Sequence, residues 1–285
     1  MELSVNAKYL MKSLPQDEKR THYECMKIFA DAGFRYLDYT PNTAGEDWEA
    51  QTDAVMDAAA RCGMTLEQSH APYNRYTKRP IEEYSKHISR ALQAAAKMGN
   101  KQIAVHADDY NMEPDGSYNA EHAMAQMYEF WAPFAEQAAS LGVNLAMETV
   151  FEDRNGVPKS RFTSRIEELM GIIDRFHSPH VVCCWDSGHA YLAFKNGMLD
   201  AMKTLGSRIT CTHIHDNYYG KDLHLMPYEG EIDWTAHMRT MKEIGYKGNL
   251  TYEFVYGCRP ACLIEDFAAM AYKTGMYLKN IFDEE

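Results

Sequence analysis

The chain of 285 residues is 46% hydrophobic and carries 29 basic against 41 acidic side chains, a formal net charge of −12. It is long enough to bury one large core, and barrels of this length are commonly a single domain, here read as 1–285. The acidic balance argues against nucleic acid as a partner, since a phosphate backbone calls for clustered Lys and Arg, but it does not exclude a small anionic substrate.

No apolar run approaches the roughly 20 residues of a membrane span. The opening Met1-Glu-Leu-Ser-Val-Asn6 lacks the basic and apolar regions of a signal peptide, so a soluble, cytoplasmic protein with no membrane partner is expected. Seven cysteines include no C-x-x-C pair. Most fall in predicted strands (Cys183, Cys184, Cys211) or helices (Cys25, Cys62), where they read as small hydrophobes rather than disulfide partners or thiolate ligands.

Taken in order, the chain alternates strand and helix. Glu2–Asn6 is the first strand, and the helix from Asp17 to Ala32 is closed by Gly33. Phe34–Tyr39 is the second strand and Asp47–Cys62 the second helix, closed by Gly63; the third strand, Met64–His70, leads into the basic loop 71–79. Pro80 is a favoured first helical residue, and its helix runs to Met98. The fourth strand ends at His106, and a long helix spans about Asn119 to Leu141. The fifth strand carries Leu145-Ala-Met-Glu-Thr-Val150, followed by a long, partly basic loop to Arg161. Thr163 is the expected N-cap of a helix to Phe176. The sixth strand ends at Asp186, and the helix from Ala190 to Leu205 has a break expected at Gly197. The seventh strand ends at His213, before the polar stretch Asp216–Asp233. A helix over Trp234–Ile244, an eighth strand ending at Glu253 and a helix over Ala261–Ile281 complete the chain.

Six of these strands end in a metal-capable side chain, at 70, 106, 148, 186, 213 and 253, with spacings of 36, 42, 38, 27 and 40 residues. A strand, a loop, a helix and a return loop need roughly 30 to 40 residues, as in an eight-unit barrel of about 250 residues. The pattern predicts an α/β fold, a (β/α)8 TIM barrel whose site is a ring at the strand C-terminal ends.

Buried carboxylates gathered at one rim repel each other and raise each other's pKa unless a cation lies between them. The basic residue a strand could supply is Arg35, at the start of the second strand and far from the mouth. Glu148, Asp186, His213 and Glu253 are therefore expected to hold one divalent metal ion: three carboxylates and an imidazole suit Mn²⁺, Mg²⁺ or Co²⁺, with Zn²⁺ also accommodated. Asp186 has a second reading as the cap of the following helix. His213 and His215 share one strand face, and one of them suffices as ligand. Asp222 and His224 add a carboxylate and an imidazole in reach of the mouth. Arg75, Lys78, Arg79, Arg154, Lys159, Arg161 and Arg259 follow strands on the same face. For an anionic substrate, Arg154 is the first candidate as a bidentate clamp.

The order Glu148, Asp186-x-x-His189, His213-x-x-Asp-Asn217, His224-Leu-Met-Pro-Tyr-Glu-Gly-Glu-Ile-Asp-Trp234 and Gly245-Tyr-Lys-Gly-Asn-Leu-Thr-Tyr-Glu253 resembles the xylose isomerase-like TIM-barrel superfamily. That superfamily includes sugar-phosphate isomerases and epimerases, ketose 3-epimerases, inosose dehydratases and zinc-dependent AP endonucleases. In the ketose-epimerase branch, the residues matching Glu148, Asp186, His213 and Glu253 bind one divalent metal. The two glutamates there also move protons on opposite faces of the substrate, and the match to His189 contacts substrate oxygens. The sequence departs from that branch at Tyr219, where those epimerases carry an Arg, and at Arg154, where they carry an acid, which leaves the sugar open.

The endonuclease branch places three zinc ions on residues matching His70, His106, His189, His213 and His224 together with Glu148, Asp186, Asp222 and Glu253. All nine types are present, but that branch resembles His-Pro-Gly after the fourth strand, where this chain has His106-Ala-Asp-Asp109. The resemblance implies a metal-dependent sugar isomerase or epimerase, with Glu148 and Glu253 as the proton-transfer pair and a metal-stabilised enediolate as intermediate. A small carbohydrate, free, phosphorylated or acidic, is the implied partner, and a homo-oligomer is compatible with it. A multinuclear zinc phosphodiesterase and an inosose-type dehydratase are the alternatives.

Overall fold

The computed structural model describes residues 1–8, 20–73, 79–107, 118–152, 161–257 and 259–284. Among these, the strands β1 (Leu3–Asn6), β2 (Tyr36–Asp38), β3 (Thr65–His70), β4 (Gln102–Val105), β5 (Asn144–Glu148), β6 (Val181–Asp186), β7 (Ile209–His213) and β8 (Leu250–Tyr252) form one parallel sheet. From β1 to β7 each strand pairs with its sequence neighbour, and β1 also pairs with β8. The last seam is closed just past the strand ends, where Ile214 donates to the Thr251 carbonyl at 2.7 Å and Glu253 donates to Ile214 at 3.1 Å. The ring is therefore a barrel, as the spacing predicts.

Side chains alternate across each strand, and the two faces are filled differently. Ala104, Ala146, Val182, Cys184 and Cys211 form a small apolar plug inside the barrel. Their neighbours Val105, Leu145, Met147, Cys183 and Trp185 face outward into the larger core shared with the helices. The described cysteines are thiols, and Cys184 and Cys211 pack in this plug as small hydrophobes.

Helices α1 (His22–Ala32), α2 (Trp48–Arg61), α3 (Ile81–Met98), α4 (Ala120–Leu141), α5 (Ile166–Arg175), α6 (Ser187–Phe194), α7 (Met198–Leu205), α8 (Trp234–Glu243) and α9 (Ile264–Asp283) follow the strands. Helix α1 begins on a capping box, with the Thr21 hydroxyl accepting from Glu24 N–H and the Glu24 carboxylate accepting from Thr21 N–H. The sequence reading shifts at several helix starts: α1 begins at His22, not Asp17, and α9 at Ile264, after the 3-10 turn Ala261–Leu263. Thr163 is not an N-cap: it lies outside α5 with φ 66°, and its N–H donates to Glu168 at 3.1 Å, so a carboxylate from inside the helix satisfies the entry loop. Helix α6 starts at Ser187, three residues before Ala190, because Asp186 caps it; the expected break falls at the 3-10 turn Lys195–Gly197. Arg35 stands just outside β2 and donates to the carbonyls of Ala30 and Phe34, so it stays on the surface. No described helix is long and apolar enough to cross a membrane.

His237 of α8 is fully buried, accepts a hydrogen bond from Trp185 Nε1 at 3.1 Å and packs against Trp234. Burial pushes its pKa down to about 3. A folded-state pKa below the unfolded value of roughly 6.5 means that its contribution is intact above that pH. It is lost as pH falls from there toward the folded pKa, at up to about 1.4 kcal/mol per unit. The variant His237→Gln, which keeps an acceptor for Trp185, should lose stability less steeply than the wild type between about pH 6.5 and 4. Urea denaturation at a series of pH values measures this, and parallel curves would exclude it.

Candidate metal centre and active site

Each strand end delivers a polar side chain to the barrel mouth: Asn6, Asp38, His70, His106, Glu148, Asp186, His213 and Glu253, in strand order. The parallel registers align them, with Asn6 beside Asp38 on β1 and β2 and Asp186 beside His213 on β6 and β7. The plug of small side chains beneath leaves room for this polar layer.

Glu148, Asp186, His213 and Glu253 are buried, and their ligand atoms lie within 4.8 Å of one another. Glu148 is the hub: His70 Nε2 is 3.0 Å, His213 Nδ1 3.3 Å and His106 Nε2 3.5 Å from its Oε2, while His189 Nδ1 is 3.2 Å from Oε1. Burial alone would raise the Glu148 carboxyl; the imidazoles, His213 foremost, outweigh it and hold it well below the usual carboxylate range. Conversely, burial would lower His213, but Glu253 and Glu148 raise it well above the usual imidazole value. The cluster therefore draws positive charge to its centre, as protons or as a cation.

The donor set fits a cation. His213 Nε2 lies 3.0 Å from Asp38 Oδ2, so its proton belongs there and the Nδ1 lone pair faces Glu148 and Glu253. That Nδ1 and Glu148 Oε1 are buried atoms with no hydrogen-bond partner. With Asp186 and Glu253 beside them, these atoms belong to a mainly oxygen donor set that could hold a cation. Cys184 also approaches Glu148 and His213, and burial raises its thiol well above the ordinary value.

Asp186 caps α6 and also stands among the convergent carboxylates at the mouth. One oxygen caps α6, accepting from His189 N–H at 2.7 Å, and the pair also accepts from His215 Nε2 at 2.9 and 3.1 Å. Between them, the Ser187 hydroxyl donates to the His215 carbonyl at 2.7 Å, and Gly188 leaves the space that the His215 ring occupies. A Cβ on Gly188 would lie 2.0 Å from that ring.

His189, His215, Asp222 and His224 form a second group of convergent ligand atoms, and His70, His106 and Glu148 a third. In the second, burial would lower His224 but Asp222 raises it to about 9, and Asp222 is itself held far below its usual value by His189 and His224 against the effect of burial. Sequence reasoning placed His215 beside His213 but did not give it this company. It also missed Asp38 and Asn6, which accept from and donate to the central ligands: Asn6 Nδ2 donates to Glu253 at 3.4 Å. The period itself was the available signal, since steps of 32 residues back from His70 reach Asp38 and then Asn6.

The polar stretch after β7 is ordered by Asp216 and Asn217. Asp216 accepts from Trp234 Nε1 at 2.8 Å and from the N–H groups of Asn217, Tyr228 and Ile232. Asn217 accepts from Leu223 and His224 N–H and donates to Asp222, which sets Asp222 and His224 over the mouth. The site opens into a cavity of about 300 Å³ whose walls include Lys8, Tyr73, Arg79, Phe151 and Arg161. Arg259 instead pairs with Glu229 at 3.0 Å, and Tyr219 packs on Tyr191 and under Lys195, both away from the cavity lining. Arg154, with Arg75, Lys78 and Lys159, lies outside the described residues.

Asp186→Ala should abolish metal uptake and also cost about 1 kcal/mol through loss of the cap, whereas Asp186→Asn should lose metal affinity and keep the cap. Metal analysis beside thermal denaturation separates the two effects; equal stability of the two variants would count against the dual role. Gly188→Ala should destabilise by about 1 to 3 kcal/mol by displacing the His215 ring. Wild-type stability in that variant would show that the ring can move freely.

A family model described as xylose isomerase-like TIM barrel matches residues 26–273. An uncharacterized protein of Sinorhizobium fredii is 21% identical over 254 residues, covering 80% of this chain and 79% of that protein. Among solved structures, a D-tagatose 3-epimerase-like protein superposes with a TM-score of 0.77 at 19% identity, over 99% of this chain and 98% of its own. The 3-keto-D-glucoside 4-epimerase of E. coli superposes with a TM-score of 0.72 at 17% identity, over 96% of this chain and 99% of its own. At these identities the structural likeness is one of fold. With nearly the whole chain matched by its model, this protein belongs to the xylose isomerase-like TIM-barrel family.

Proposed function

We propose that the protein is a divalent-metal-dependent isomerase or epimerase acting on a sugar, sugar phosphate or sugar acid. The observation that carries this reading is the buried convergence of Glu148, Asp186, His213 and Glu253, with the His213 Nδ1 lone pair turned toward the two glutamates. These four residues would hold the ion, Mn²⁺, Co²⁺, Mg²⁺ or Zn²⁺ by the hardness of the set. When bound, a divalent ion there supplies Lewis acidity to negative charge developing on substrate oxygens. The D-tagatose 3-epimerase-like protein and the 3-keto-D-glucoside 4-epimerase with this fold are named for sugar epimerisation, which supports the same class here.

Glu148 and Glu253 are the proposed proton-transfer pair. They stand on β5 and just past β8, so they approach a central substrate from different sides of the ring. One removes the proton next to the carbonyl and the other delivers one, to the opposite face of that carbon for epimerisation or to its neighbour for isomerisation. His189, Asp222 and His224 line the cavity beside them and would bind substrate hydroxyls. A dehydratase would share the first step and then expel hydroxide.

A multinuclear zinc phosphodiesterase is the second reading, favoured by the two further ligand groups around His70 and His106 and around His189, Asp222 and His224. Proton bookkeeping distinguishes the two. A reactive sugar incubated with the metal-loaded enzyme in heavy water should gain deuterium on the carbon next to its carbonyl, followed by NMR. Glu148→Gln and Glu253→Gln should each lose at least about a hundredfold in exchange, since an amide is not a base, while metal content falls only in part. Cleavage of abasic DNA by the pure protein, with no exchange into a broad sugar panel, would establish the hydrolase instead.

A further inference from the structure

We infer that Arg161 withholds His106 from metal binding, so that the corner formed by His70, His106 and Glu148 is a hydrogen-bonding arm of the site rather than a second metal site. The inference deepens the single-metal reading above and rests on it. Arg161 is 3% exposed, and its Nη2–H donates to His106 Nδ1 at 3.3 Å, while Nη1–H donates to the Phe151 carbonyl at 3.4 Å. A guanidinium has donors only, so it can meet Nδ1 only as a lone pair. The His106 proton then sits on Nε2, the nitrogen that faces Glu148 Oε2 at 3.5 Å. A ring nitrogen carrying a proton offers nothing to a cation.

The contrast with the neighbouring imidazoles is one of orientation, not of residue type. His70 places Nδ1 2.6 Å from the Ala71 carbonyl, His189 places Nδ1 3.1 Å from the Thr149 carbonyl, and His224 places Nδ1 2.7 Å from the Glu253 carbonyl. Each carbonyl demands a proton on Nδ1 and frees Nε2 for a ligand, the usual outer partnership of metal-binding histidines. For His106 to ligate through Nε2, its Nδ1 would have to carry a proton pointed at the guanidinium. Two buried donors would then face each other, and the fixed charge of Arg161 would stand behind the metal. The ring is further held by stacking on Tyr73, with centroids 5.2 Å apart and planes 17° apart. His106 therefore serves Glu148 as a donor, and with Arg161 it presents fixed N–H groups on the cavity wall.

The experiment counts zinc per chain after saturation and desalting, in wild type, His106→Ala, Arg161→Met and the double variant. Wild type and His106→Ala should hold the same number of ions, Arg161→Met one more, and the double variant should return to the wild-type count. In metal-free protein with ¹⁵N-labelled histidine, His106 should appear as the Nε2–H tautomer and should shift toward Nδ1–H in Arg161→Met. Loss of one ion in His106→Ala, no gain in Arg161→Met while wild type keeps its central ion, or a wild-type His106 protonated on Nδ1 would each overturn the inference. Zinc absent from every variant, with His106 still the Nε2–H tautomer, would instead overturn the metal centre and uphold the role of Arg161.

Discussion

Three carboxylates buried at one end of a barrel govern much of what surrounds them. An uncompensated buried charge costs several kcal/mol, against a total stability of about 5 to 15 kcal/mol for an ordinary domain. Glu148, Asp186 and Glu253 are met by imidazoles and amides on every side: His70, His106, His189 and His213 around Glu148, His215 on Asp186 and Asn6 on Glu253. Imidazole suits the task because it can give up its proton to a cation and take it back, whereas a lysine or arginine would occupy the centre permanently.

That choice passes a requirement outward. An imidazole is useful to a metal only if its other nitrogen is committed, and here the commitments are made by Asp38 for His213 and by main-chain carbonyls for His70, His189 and His224. Those carbonyls belong to the first residues beyond strand ends, so the barrel's own register sets the protonation pattern of the site. The glycines follow from the same crowding. Gly188 yields to the His215 ring, and at Gly230 a Cβ would lie 2.3 Å from Asp216 Oδ1, the oxygen that accepts from Asn217 and Ile232. His224 itself adopts a left-handed φ of 48°, held there by Asn217 accepting from its N–H. A local backbone cost of this kind is accepted where it aims a side chain into a site.

Much of this was legible in the chain. Eight units and their order followed from apolar runs at a 30- to 40-residue period, because a parallel strand must be returned by a helix and the return has a fixed length. Glu148, Asp186, His213 and Glu253 followed from the same period, since a strand end in a barrel is one place in space however far apart the residues lie in sequence. Asp38 and Asn6 continue it and could have been read by the same rule. Thr163 was misread because capping depends on where the helix starts, and a loop closed by Glu168 reset that start.

What the linear chain determined, then, was which residue types arrive at the barrel mouth, because strand period and helix return are local properties. Only the tertiary structure decided which nitrogen of each imidazole faces inward. His70 and His106 are equivalent by spacing and by residue type, yet one meets the Ala71 carbonyl and the other the Arg161 guanidinium, which reaches it across 55 residues of chain. Donor and acceptor roles are assigned by neighbours in space, and no periodicity in the sequence carries that information.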